Sequence, residues 1–173
     1  MASSLYLASQ RLCKGALALS IGLFGLLVAS GNLIDYSSNW QFVQHVLSMD
    51  SMQPWFHGEA LRGRAIHSLP LQKLAYAAII CGEMAVGALC SLGGVFILLA
   101  IRPGCGRWLV RGKCCFTLGA TLAILVWYTG FAVIGGEYFA MWANQWNGQH
   151  TAYAFAGFIL LSLLYIGQPE REA

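Results

Sequence analysis

Glu83 is the only charged residue between Lys73 and Arg102 in a chain of 173 residues. A carboxyl in so apolar a stretch can ligate a metal, relay a proton or hold a hydrogen-bonding partner. With His45, Asp50, Glu137 and His150 it makes up a set of mixed oxygen and nitrogen donors of the kind that zinc or another divalent transition ion accepts. No two of these residues stand at a compact motif spacing and there is no His-Glu-x-x-His run, so the metal reading rests on residue type alone and no cofactor is expected. A proton path would need further polar groups through the bilayer, and the far halves of the apolar stretches offer only small and apolar residues. The serines form no Gly-x-Ser-x-Gly elbow, and no histidine lies deep enough in an apolar stretch to hold haem. No enzyme motif remains, and a non-enzymatic role is expected.

The elements that must position Glu83 follow from composition. Hydrophobic residues make up 58% of the chain and charged residues 10%, against about 25% charged in ordinary soluble domains. A net charge of +3 spread through so much apolar sequence builds no clustered basic face, which excludes nucleic acid as a partner. The apolar residues fall in four blocks, about 15–34, 71–101, 114–136 and 151–168, each reaching the roughly 18 residues that cross a bilayer. The first is read as a retained span rather than a cleaved signal peptide, because its apolar run is too long. The expectation is one all-α domain over residues 1–173, a four-transmembrane-helix bundle in the lipid bilayer. Its lipid-facing surface has no feature that distinguishes a monomer from a homo-oligomer.

The linker between the second and third spans carries Arg102, Arg107, Arg111 and Lys113 without an acid, which puts both chain ends in the cytoplasm by the positive-inside rule. Two segments then face outward, Asp35 to Pro70 and Glu137 to His150. The longer contains Trp40, Val43 and Leu47 on one helical face after Ser37 or Ser38 as N-cap, so a short helix on the membrane surface is expected there. Trp40, Trp55, Trp142 and Trp146 fit an aromatic belt. Four of the six cysteines lie toward the cytoplasmic side and two inside a span, so no disulfide is expected.

Small residues mark the packing faces. Gly15, Ala18, Gly22, Gly25, Ala29 and Asn32 recur at steps of three and four along the first span, and Glu83, Gly87, Cys90 and Gly94 along the second. In lipid, such faces let helix backbones approach closely. The same reading gives Gly119, Ala123, Val126, Gly130, Val133 and Glu137 on the third span, and Asn147, His150, Ala154 and Gly157 on the fourth. Each seam leads outward to a polar residue, so Asn32, Asp35, Asn39, His45, Asp50, Arg64, Glu83, Glu137, Asn147, Gln149 and His150 are expected as a polar cluster on one side. Glu83 lies ~15 Å along the axis from Lys73 at ~1.5 Å per residue. A charge at that depth costs roughly 2.5–3.5 kcal/mol, so Glu83 must be protonated or paired, and Arg64 is the best partner because its fork can hold a carboxylate. The cluster serves either as a cap that fixes helix register or as a ligand site.

The strings Asn32-Leu33-Ile34-Asp35-Tyr36-Ser37-Ser38-Asn39, Phe42 to Asp50, Gly135-Gly136-Glu137-Tyr138-Phe139-Ala140-Met141-Trp142 and Trp146-Asn147-Gly148-Gln149, with Arg64-Ala65-Ile66 and Glu83, together carry a resemblance. The chain resembles the bacterial family of predicted small integral membrane proteins catalogued as domain of unknown function 2165, over nearly its whole length. The resemblance implies a four-span protein of the bacterial inner membrane and implies no reaction. Tyr138 and Ala143-Asn144 stand where Trp and Gln-Ser are expected in many relatives. The favoured role is a membrane subunit or accessory protein that meets a larger membrane-protein partner through its outer face. The alternative is a protein that binds or transports a metal ion or small polar solute at the Glu83 and Glu137 cluster.

Overall fold

A computed structural model describes residues 2–170; Met1 and residues 171–173 of the expected domain lie outside the described residues. Helix α1 (Ala2–Ile34) is followed, after Asp35 alone, by α2 (Tyr36–Ser48). A short turn of helix, α3 (Glu59–Arg62), precedes α4 (Leu69–Leu99), whose first turn takes Pro70 where a backbone donor is not needed. Helix α5 (Arg107–Ile124) runs directly into a π-helical stretch, Leu125–Tyr138, and α6 (Gln149–Gly167) closes the bundle. Four stretches are long and apolar enough to cross a membrane: Leu5–Ile34, Leu69–Leu99, Arg107–Tyr138 and Gln149–Gly167. The third begins seven residues before its expected limit. Arg107 and Arg111 stand over the Trp108 ring at 5.7 and 5.0 Å, which lets their aliphatic stems continue the helix while the charges reach the interface.

The α1–α4 seam forms as expected. A methyl group built on Gly25 would sit 2.9 Å from the Gly87 nitrogen, so only glycine permits this approach. Ala18, Ala29, Val86 and Cys90 are buried along the same contact. Gly93 and Gly112 repeat the device between α4 and α5, where a methyl on Gly112 would lie 2.8 Å from the Gly93 carbonyl oxygen.

The third and fourth faces differ from expectation. After Ala123 the buried positions are Trp127, Ala132, Gly135 and Gly136, not Val126, Gly130, Val133 and Glu137. The cause is the π winding, seen in the Phe139 N–H donating to the Ile134 carbonyl five residues back at 3.1 Å. It advances the buried stripe by five residues at one step and leaves Glu137 exposed. On α6 the buried stripe is Gln149, Ala152, Ala156, Ile159, Ser162 and Ile166. His150, Ala154 and Gly157 lie outside it, because Gln149 inserts against Gly136 and sets the helix rotation.

One end of the bundle is capped. Val46, Met49, Met52 and Phe56 pack with Phe139, Ala140, Met141 and Ala143 in an apolar core separate from the one between the spans. Gln53 N–H donates to the Ala143 carbonyl at 2.8 Å and Gln145 N–H to the Ser51 carbonyl at 3.0 Å, so the two connecting segments hold each other. Met49 and Ala140 adopt left-handed backbone at φ 50° and 51°, conformations non-glycine residues keep only where surrounding packing demands them. The opposite end carries Arg11, Lys14, Arg102, Arg107, Arg111 and Lys113, and is called the basic end below. All six cysteines are free.

Candidate functional site

Helix α2 is the element that makes the capped end more than a lid. Its N-cap is Asp35, whose carboxylate accepts the Ser38 N–H at 3.4 Å, rather than Ser37 or Ser38, because α1 ends only one residue earlier. The expected Trp40, Val43 and Leu47 face packs on Tyr76 and Ile80 of α4. Between α2, α4 and the π-helical stretch lies an apolar chamber of about 290 Å³, with Phe42, Val46, Ala78, Gly130, Ile134 and Gly135 in its walls. A second cavity of about 220 Å³ shares Phe42, Val43, Ile79 and Phe131 with it and ends on Asn32, Asn39, Tyr76 and Glu83. These four residues wall both cavities, and the second has the polar groups on its floor.

Glu83 is 2% exposed. Asn32 Nδ2 donates to its Oε2 at 2.6 Å, and the Tyr76 hydroxyl donates to the Asn32 carbonyl at 3.0 Å. Among the described residues Asn32 is the one side chain bonded to this carboxyl, so its Oε1 keeps its accepting capacity beside the cavity. Arg64 is not the partner. It is exposed, donates through Nη1 to the Tyr138 carbonyl at 3.2 Å and stands 5.0 Å over the Tyr138 ring. The segment that carries it packs through Leu61, Ala65 and Ile66 on the core that includes Phe139, Ala140, Met141 and Ala143.

The expected polar cluster separates into groups. Asn39 donates to the Asp35 carbonyl at 3.3 Å beside the Glu83 floor. His45 Nδ1 and Asp50 Oδ1 are 2.7 Å apart, with the imidazole stacked on Trp146 at 5.3 Å. Partial burial pushes the Asp50 carboxyl up, and hydrogen bonds with His45, Ser48 and Ser51 outweigh it, leaving Asp50 below its ordinary value. Gln149 Nε2 donates to Glu137 Oε1 at 2.9 Å and to the Ala132 carbonyl at 3.2 Å, the latter a backbone acceptor within the π-helical stretch. Asn147 accepts the Gln149 N–H at 3.0 Å and so starts α6, while His150 is exposed beside it. Of the five proposed metal ligands only His45 and Asp50 meet. Among the described residues no three His, Cys, Asp or Glu side chains are grouped to hold a metal ion.

Three residues outside that cluster prove structural. Asn144, 2% exposed, donates to the His45 carbonyl at 3.2 Å and accepts from Ser51 Oγ and the Trp146 N–H. Gln72 donates to the Ile66 carbonyl at 2.6 Å and fixes the return of the loop to α4. Tyr76 orients the Asn32 backbone. Gln72 and Tyr76 are marked in sequence only by their place on the otherwise apolar stripe of α4, and Asn144, in a connecting segment, carries no such mark.

No curated protein and no solved structure matches the chain. A family model described as predicted small integral membrane protein matches residues 10–169, which include all four apolar helices nearly entire, the cap and Glu83. The chain belongs to this family, DUF2165.

Proposed function

We propose that this integral membrane protein is a non-enzymatic binding protein for a lipid-soluble molecule with a hydrogen-bond-donating head, a hydroxyl or amine, received at Glu83. The observation that carries the reading is a buried carboxyl, bonded on one oxygen to Asn32, on the floor of a cavity that shares a wall with a larger apolar chamber. The second oxygen lies beside the cavity, where a donor can bond it. Binding sites of this size are mostly apolar with a few placed polar groups, and π-helical turns concentrate at functional sites. The test is native mass spectrometry of protein extracted gently from its own membrane. A retained small molecule, diminished in Glu83→Leu, is the expected result, and a wild-type chain without one contradicts the reading.

The subunit reading keeps one specific support. Trp55 and Trp142 stack at 6.1 Å on the cap and are 57% and 42% exposed, a surface a larger membrane partner would cover. Retention of a stoichiometric protein in the same experiment would favour it. In either case we place the chain in a bacterial inner membrane with its basic end in the cytoplasm, supported by the excess of Arg and Lys there. A cysteine introduced as Gly104→Cys should resist membrane-impermeant thiol reagents in intact cells, and labelling from outside would reverse the orientation.

A further inference from the structure

A groove on the outside of the capped end brings together two unlike charges that do not neutralise each other. Arg64 and Glu137 line it with Ile66, Val133, Ile134 and Tyr138, around a volume of about 670 Å³. Val133, Ile134 and Tyr138 are 38%, 47% and 50% exposed, so the groove continues as a lipid-facing apolar track below the charges. The ion pairs among the described residues are Arg11 and Lys14 with Glu170, His45 with Asp50, and Arg62 with Glu59; Arg64 and Glu137 form none. Arg64 is held in place by the Tyr138 carbonyl and ring, and Glu137 by Gln149. Both charges are therefore positioned without being consumed.

We propose that this groove binds a phospholipid whose zwitterionic headgroup carries a primary ammonium, its phosphate on Arg64 and its ammonium on Glu137, with an acyl chain along Val133 and Ile134. The chemistry is complementary at each point. Guanidinium forks recognise phosphate oxygens through paired N–H donors. A primary ammonium donates to a carboxylate, which a quaternary ammonium cannot do, and an anionic headgroup without an amine would meet Glu137 as a like charge. The apolar track supplies the tail contact, at the end of a span where such headgroups lie. The site is separate from Glu83, which lines a different cavity.

The test reconstitutes the full chain in nanodiscs holding equal amounts of ethanolamine, choline and glycerol phospholipids, then counts retained lipids by native mass spectrometry on release into detergent. Wild type should retain ethanolamine lipid over the other two by at least several-fold. Arg64→Gln should lose retention of all three. Glu137→Gln keeps an oxygen for Gln149 and should fold; it should abolish the preference and raise retention of the glycerol lipid. Glu83→Leu should leave the preference unchanged, which separates this site from the chamber. Equal retention of the three lipids by wild type, or a preference that survives Glu137→Gln, would overturn the proposal.

Discussion

At the basic end Arg11 reaches the Glu170 carboxylate at 2.8 Å and the Ala100 carbonyl at 2.6 Å, and Lys14 and Lys113 both donate to the Gln168 carbonyl. At the capped end the deep carboxyl of Glu83 meets an amide and a cavity. The basic end thus spends its charges on joining α1, α4, α5 and the residues after α6. Glu170 bridges Arg11 and Lys14 there, while its Oε1 and that of Gln10 are buried without a hydrogen-bond partner, and none of the cavities described opens at that end. The capped end satisfies its loop backbone with neutral groups, Asn144 and Gln72, and keeps Glu83, Arg64 and Glu137 beside open space. The joined charges and the open cavities lie toward opposite ends of the same helices.

The sharpest way to break this comparison is to remove the clamp. Glu170→Ala leaves Lys14, 2% exposed, without its carboxylate and should lower stability by about 3 kcal/mol, the lower end for losing one partner of a buried ion pair because Arg11 stays partly solvated. Thermal unfolding in detergent measures it, and an unchanged midpoint would show that the basic end is not a clamp. Glu83→Leu should cost less, about 1–3 kcal/mol, since it orphans only the Asn32 amide. Glu83→Gln keeps an acceptor for Asn32 and should cost less again. Equal loss of folded protein for the two Glu83 variants would contradict a hydrogen-bonding role.

The smallest effect belongs to the cap surface. The folded Asp50 carboxyl lies below its ordinary value, so its contribution is complete above the unfolded value of about 4 and is lost as pH falls through the folded one. Tryptophan fluorescence during thermal unfolding should show wild type losing stability below about pH 4, with the slope shallower in Asp50→Asn. Identical slopes would remove Asp50 from the cap's linkage.

The parts of this arrangement that sequence conveys are those built from regular α-helix and small residues. Gly25 and Gly87 stand on stripes with steps of three and four, and those stripes meet. Asn32 and Glu83 end the same two stripes, so their bond is within reach of the periodicity, while Arg64 is favoured only by the chemistry of its fork, which says nothing of where the loop puts it. The period places Glu137 in the seam because nothing in the composition of Leu125–Tyr138 announces the π winding that shifts it after Ala123, and it misses the α6 face because the Gln149 contact with Gly136 sets that helix's rotation. The cap was illegible for another reason. Its register depends on Asn144 and Met52 meeting across 92 residues of chain, with two left-handed residues that are not glycine.

The central claim is that the chamber beside Glu83 receives a lipid-soluble molecule from the membrane. A long-chain alcohol carrying a diazirine, irradiated with the protein in nanodiscs and mapped by peptide mass spectrometry, tests it most directly. The account predicts crosslinks on Phe42, Ile79 and Phe131 that Glu83→Leu removes, with those on the exposed face of α6 unchanged. Labelling confined to exposed residues such as Leu161 and Leu164, or chamber labelling indifferent to Glu83, would contradict it.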